Sequence, residues 1–213
     1  MRQVVLASGN VGKLKEFGQC LAPLGIELVA QSQFVSQEVE ETGLSFVENA
    51  ILKARHAAAA SGLPALADDS GLEVDALHGA PGIYSARYAD SNLKGAAKDA
   101  ANSAHLIANL QHVPSHQRSA RFQCVLVYMR HAQDPTPIIC QSSWEGLIMD
   151  TAKGEHGFGY DPIFQVLDTG CRAAELTPAQ KIAISHRGKA LTQLQAALTQ
   201  LQAALADVQT PQV

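Results

Sequence analysis

The chain has 213 residues, 46% hydrophobic and 17% charged, enough apolar content for one substantial core and no composition that suggests disorder. A formal net charge of -4 excludes a general nucleic-acid binder, which needs a basic surface. Cys20, Cys124, Cys140 and Cys171 lack C-x-x-C or zinc spacing and read as reduced thiols of a cytoplasmic protein, and with no apolar run approaching ~20 residues neither a signal peptide nor a membrane span is expected.

The apolar run Val4-Val5-Leu6-Ala7 predicts a strand, followed by the polar loop Ser8-Gly9-Asn10-Val11-Gly12-Lys13 at a helix start. Leu14, Phe17, Leu21 and Leu24 keep helical spacing until Pro23 and Gly25, and a second strand is predicted at Ile26-Ala30. The acidic stretch holding Glu38, Glu40 and Glu41 leads to Ser45-Phe46-Val47-Glu48, a capping box for a helix running to Ser61. On that helix Phe46, Ala50, Ala54 and Ala57 form one side, and Asn49, Lys53 and His56 another.

Ala65-Leu66-Ala67 predicts a buried strand that delivers Asp68-Asp69-Ser70-Gly71 at its end. A loop follows through residues 76–94, then a helix over about 95–111, rich in alanine. Ala120 to Met129 and Ile138 to Met149 predict a β-hairpin. Thr177-Pro178-Ala179-Gln180 starts a short helix carrying Lys181 and Ser185, with Gly188 near its end. The heptad Thr192–Leu198 is repeated as Thr199–Leu205, and leucines 191, 194, 198, 201 and 205 form a stripe that favours packing on the core over a coiled coil. One domain over 1–206 and a frayed tail at 207–213 are expected.

Several stretches carry chemistry. The Ser8–Lys13 loop suits phosphate: its glycines let backbone approach closely, Lys13 adds charge, and helix N–H groups favour an anion, though such junctions also serve as plain turns. It is not a P-loop, because Ala7 and Leu14 stand where Gly and Ser or Thr are required. Asp68 and Asp69 either form an ordinary Asx turn or place one carboxylate in a site, and Glu40 or Glu41 adds hard oxygen donors of the kind Mg²⁺ combines with phosphate and water. In Gly157-Phe158-Gly159-Tyr160-Asp161, an aromatic ring can stack on a planar base and Asp161 can accept from a ring N–H. Arg187, in Ser185-His186-Arg187-Gly188, can donate to a carbonyl such as purine O6.

In order, these blocks resemble the inosine/xanthosine triphosphate pyrophosphatase family: Ser8-x-Asn10-x-x-Lys13, Glu40-Glu41-Thr42-Gly43, Phe46-x-Glu48-Asn49-Ala50 with Lys53, and Ala67-Asp68-Asp69-Ser70-Gly71-Leu72. The likeness continues through Pro81-Gly82-x-Tyr84-Ser85-Ala86-Arg87-Tyr88, Gly157-Phe158-Gly159-Tyr160-Asp161-Pro162-x-Phe164, Glu175-Leu176, Lys181 and Ser185-His186-Arg187-Gly188. His105, His156 and the duplicated tail depart from the family pattern.

The resemblance implies an α/β fold with a long twisted mixed sheet flanked by helices, two lobes around a central substrate cleft, and a homodimer. It implies Mg²⁺-dependent hydrolysis of dITP, ITP and XTP to monophosphate and pyrophosphate. Ser8, Gly9, Asn10, Val11, Gly12, Lys13 and Lys53 would hold the triphosphate, with Ser70 also at the substrate. Asp69 would be the proton acceptor and a metal ligand, with Glu40 or Glu41 as its partner. Phe158, Gly159, Tyr160, Asp161, Lys181, His186 and Arg187 would select the base. The rivals are a septum-inhibitor-like pyrophosphatase acting on modified pyrimidines, which the Ser185-His186-Arg187 block disfavours, and a nucleotide sensor that binds without turnover.

Overall fold

The computed structural model describes residues 2–37 and 39–209, apart from the side chains of Val11 and residues 205–209. Among the described residues the strands and longer helices follow one another as β1 (Arg2–Leu6), α1 (Val11–Leu21), β2 (Ile26–Ala30), α2 (Phe46–Ser61), β3 (Ala65–Val74), α3 (Gly95–Asn109), β4 (Ser119–Met129), β5 (Ile138–Ile148), β6 (Phe164–Val166), α4 (Pro178–Ile184) and α5 (His186–Gln209). The strands form one mixed sheet in the order β2-β1-β3-β4-β5-β6. β1 is parallel to both β2 and β3, and β6 is antiparallel to β5, so the fold is α/β with a mixed sheet. No helix among the described residues is long and apolar enough to cross a membrane.

The chain contains two compact units, the first made of Met1–Asp69, Val125–Gln141 and Ala190–Val213, the second of Ser70–Cys124 and Ser142–Lys189. In the first, Val4, Val5 and Leu6 of β1 and Ala65, Leu66 and Ala67 of β3 are buried, the uninterrupted apolar run expected of central parallel strands. Leu191, Leu194 and Leu198 are buried there, so the leucine stripe packs on its own unit as expected. Gln195 Nε2 donates to Cys20 O, and Gln202 Nε2 to Leu24 O at 3.1 Å. The Leu205 side chain, Glu38 and residues 210–213 lie outside the described residues, while the α5 backbone runs on through 207–209. The second unit has its own core, in which Phe122, Trp144, Ile148 and Phe164 pack with Leu72, Leu106 and Ile163.

Two local readings change. The Asp68-Asp69-Ser70-Gly71 run lies inside β3 rather than at its end. Past the glycine Leu72 and Val74 are fully buried on either side of a half-buried Glu73, the alternation of a strand, and Leu72 N is satisfied by Ser85 Oγ at 2.8 Å, so the extended backbone has no reason to turn. Asn49, on the same side of α2 as Lys53, is fully buried, and its Oδ1 accepts from Gly43 N at 2.8 Å. The helix carrying Lys181 stops at Ile184, and Gly188 belongs to the first turn of α5. Ser185 makes the break, its N donating to Lys181 O at the end of α4 while its Oγ accepts from Gly188 N at 3.2 Å to cap α5. A Cβ on residue 188 would run into the Ile182 carbonyl, so glycine is what lets the two helices meet here.

Candidate active site

In the first unit, the loop after β1 is ordered by its own short side chains. Asn10 N donates to Ser8 Oγ at 3.1 Å, and Asn10 Oδ1 accepts from Lys13 N at 3.1 Å, capping α1. Gly9 and Gly12 are exposed, leaving this loop and the helix start open to an anion.

β1 pairs with β3 only as far as Leu6 and Leu66, and the two aspartates come just beyond that register. Neighbouring residues on a strand project to opposite faces, which separates their partners. Lys13 Nζ of α1 lies 2.9 Å from Asp68 Oδ2. Lys53 of α2 donates to Asp69 Oδ1 at 2.6 Å and to Glu41 Oε1 at 3.0 Å. Thus Glu41 joins the cluster, whereas Glu40 is exposed. The two-residue ambiguity could be resolved only by the path of the 40–43 loop, which Gly43 and Asn49 fix.

Burial raises the Asp69 pKa to about 6; Lys53 opposes this by charge and hydrogen bond, while Glu41 and Asp68 add to it. Burial pulls the Lys53 pKa down, but Asp69 and Glu41 outweigh it, so the ammonium is held more firmly than usual. Asp69 is thus a base of near-neutral strength beside a fixed cation. Among the described residues no three acidic, imidazole or thiol groups converge as a ready metal cage. Mg²⁺ does not need one: one or two carboxylates with phosphate oxygens and water suffice, and Asp69 and Glu41 offer that donor set.

In the second unit a cavity of about 150 Å³ is lined by Phe158, Gly159, Tyr160, Asp161, Lys181, His186 and Arg187, together with Ser70. An engineered apolar cavity of that size admits benzene, so the space suits a planar ring. The expected base-selecting residues therefore meet in one place, but in differing roles. Phe158 is 58% exposed, with Lys181 Nζ 4.9 Å and Arg187 Cζ 5.6 Å from its ring centre. Tyr160 is buried and donates to Ser85 O at 2.8 Å, which makes it a wall rather than a free stacking surface. Asp161 Oδ2 accepts from Phe158 N at 2.9 Å and from Lys181 Nζ, so its carboxylate shapes the loop. A Cβ at Gly157 would collide with that carboxylate.

His186 and Arg187, both buried, occupy the first turn of α5. The imidazole stacks on Phe122 at 4.9 Å and 11°, and on Trp144 at 6.2 Å and 23°. Arg187 reaches Ser70 Oγ at 3.5 Å. Sequence reading missed Phe122, Ser85, Asp99 and Asn102, which also line the cavity. Ser85 stands in the Pro81–Tyr88 block without a role assigned to it, and for Asp99 and Asn102 the signal was their spacing on one helical face, which is equally common on solvated helices.

Residues 4–197 match the model of the Ham1 family. A protein of Vibrio parahaemolyticus named dITP/XTP pyrophosphatase is 58% identical over 196 residues, which is 92% of this chain and 96% of that protein. One of Shewanella oneidensis with the same name is 60% identical over 194 residues, covering 91% and 92%. The solved structure of a HAM1 protein from Coxiella burnetii superimposes with a TM-score of 0.88 at 49% identity, over 94% of this chain and all of that one. With residues 4–197 matched by the family model, its fold shared and nearly its whole length covered by these relatives, the chain belongs to the Ham1 family.

Proposed function

We propose that this protein hydrolyses deaminated purine nucleoside triphosphates, dITP, ITP and XTP, to the nucleoside monophosphate and pyrophosphate. The observation that carries the reading is the Lys53-bound Asp69, a carboxylate with its pKa raised to about 6, in a chain whose relatives are named dITP/XTP pyrophosphatases. Asp69 accepts the proton of a water aimed at the α-phosphorus. At neutral pH it is mostly ionised yet basic enough to take that proton. Lys13 and Lys53 turn part of their charge from the aspartates to the triphosphate, and the backbone of Ser8–Gly12 with the α1 N-terminus holds further phosphate oxygens. Asp69 and Glu41 would hold Mg²⁺, which would supply charge neutralisation for the phosphate oxygens.

In the second unit Phe158 offers a stacking face, and Arg187 and His186 offer donors to the 6-oxo group of hypoxanthine or xanthine. Adenine presents a donor there instead and leaves a buried N–H facing another, a mismatch that discriminates strongly. The four cysteines are free thiols, in keeping with a reducing compartment, and we place the enzyme in the cytoplasm, acting as a homodimer. The decisive experiment is a panel of dITP, XTP, dGTP, dATP and dUTP, with Mg²⁺ and with chelator, scored for pyrophosphate against orthophosphate. Binding of ITP without pyrophosphate release, or a preference for dUTP, overturns the reading; light scattering of the purified protein tests the dimer.

A further inference from the structure

We infer that Asp99, on α3, is a positioning residue for base recognition: it fixes the backbone of the Gly157–Asp161 loop and so sets the plane of the Phe158 ring. The inference rests on the proposed role of this cavity as the base pocket and adds a residue outside the motifs that define it.

Phe158 is the most exposed large side chain of that loop, so packing of its own ring does little to hold it. What orders it must act through the backbone on either side. On one side, Phe158 N donates to Asp161 Oδ2 at 2.9 Å, inside the loop. On the other, Gly159 is gripped from α3 at both of its peptide groups. Its N donates to Asp99 Oδ2 at 2.9 Å, and its O accepts from Ser103 Oγ at 3.4 Å. Asp99 and Ser103 are four residues apart and so share one helical face. Gly159 adopts φ +62°, a left-handed conformation that any residue but glycine resists, and the two α3 contacts hold it there.

The anchor is itself anchored. Asn102, three residues after Asp99 on α3, is buried and accepts from Ala89 N at 2.8 Å while donating to Ser85 O at 3.4 Å. Ser85 O also receives the Tyr160 hydroxyl, so α3, the 3₁₀ segment Gly82–Arg87 and the loop are tied through one carbonyl. A charged acceptor on a backbone N–H is stronger than a neutral one, and a platform ordered before the ligand arrives spares the ligand the entropy of ordering it.

The test uses the full-length protein, with kinetics on dITP and calorimetric binding of inosine monophosphate. Asp99→Ala keeps a good helix former in α3, and it raises KM and the monophosphate Kd about tenfold while kcat stays within about twofold. Asp99→Asn retains an acceptor oxygen and recovers most of that loss; Ser103→Ala shows a smaller loss in the same direction. Phe158→Ala alone raises KM by a similar factor, and Asp99→Ala combined with Phe158→Ala is no worse than the poorer single variant, because both remove the same platform. Losses that multiply in the double variant, an Asp99→Asn as poor as Asp99→Ala, or an Asp99→Ala with unchanged binding overturn the inference and leave the base pocket standing. An unchanged KM in Phe158→Ala overturns the base-pocket reading instead, and this inference with it. If Asp99→Ala does not fold, Ser103→Ala and its double variant with Phe158→Ala decide the matter by the same criterion.

Discussion

Lys53 Nζ lies 2.6 Å from Asp69 Oδ1, so the proposed base is held by a cation that stays charged throughout the working pH range. Because the carboxyl titrates near pH 6, kcat/KM falls as pH drops below that value, approaching tenfold per unit as the base is protonated. Asp69→Asn lowers kcat by about 10²–10⁴ and its residual rate lacks this acid limb. Lys53→Met removes the neighbouring positive charge, so the limb moves to higher pH by about one unit or more. A limb that stays in place in Lys53→Met, or normal turnover in folded Asp69→Asn, rejects the assignment; pH–rate profiles with far-UV circular dichroism decide.

Arg187 is buried at the cavity with its guanidinium over Phe158. Arg187→Ala raises KM for dITP more than it lowers kcat, and it narrows the preference for dITP over dATP by about 10–100-fold. Paired kcat/KM measurements on the two substrates check this, and an unaltered preference excludes Arg187 from reading the base.

Gly188 is helical, and helix propensity alone says that alanine there stabilises by about 1 kcal/mol. Packing says the opposite, because the new Cβ meets the Ile182 carbonyl where α4 ends. Packing wins: Gly188→Ala destabilises by about 3 kcal/mol, lowering Tm by about 6–12 °C in a chain of this size. Thermal melts of the variant that match the wild type would show that the junction yields.

No three-ligand cage stands among the described residues, so on the proposed reading Mg²⁺ would take most of its ligands from the nucleotide and water. Chelation therefore abolishes turnover but shifts the Tm of the substrate-free protein by less than about 2 °C. A large loss of Tm on chelation would reveal a structural metal instead.

Local chemistry made much of this molecule readable from its residues. The caps at Ser45 and Thr177, with their partners Glu48 and Gln180, mark α2 and α4 because those contacts lie within four residues. What escaped depends on contacts distant in sequence. The Ser-Gly pair after Asp69 looks like a turn until Ser85 is seen satisfying Leu72, thirteen residues on. Glu40 and Glu41 are chemically equivalent until a loop path turns one of them toward Lys53. Tyr160 and Phe158 are both aromatic neighbours of one glycine, and only burial separates the wall from the exposed face.

Gln195 and Gln202 reach two backbone carbonyls four residues apart, Cys20 O and Leu24 O, from matching places in the two copies of the tail heptad. Seven residues make almost two full helical turns, so a copied heptad arrives within about 20° of the original's orientation. Growth by this unit keeps the same flank facing inward, whereas an insertion of five or six would rotate every later leucine away. The end of α5 can thus lengthen through in-phase duplication while the residues at its start, His186 and Arg187, are inherited unchanged.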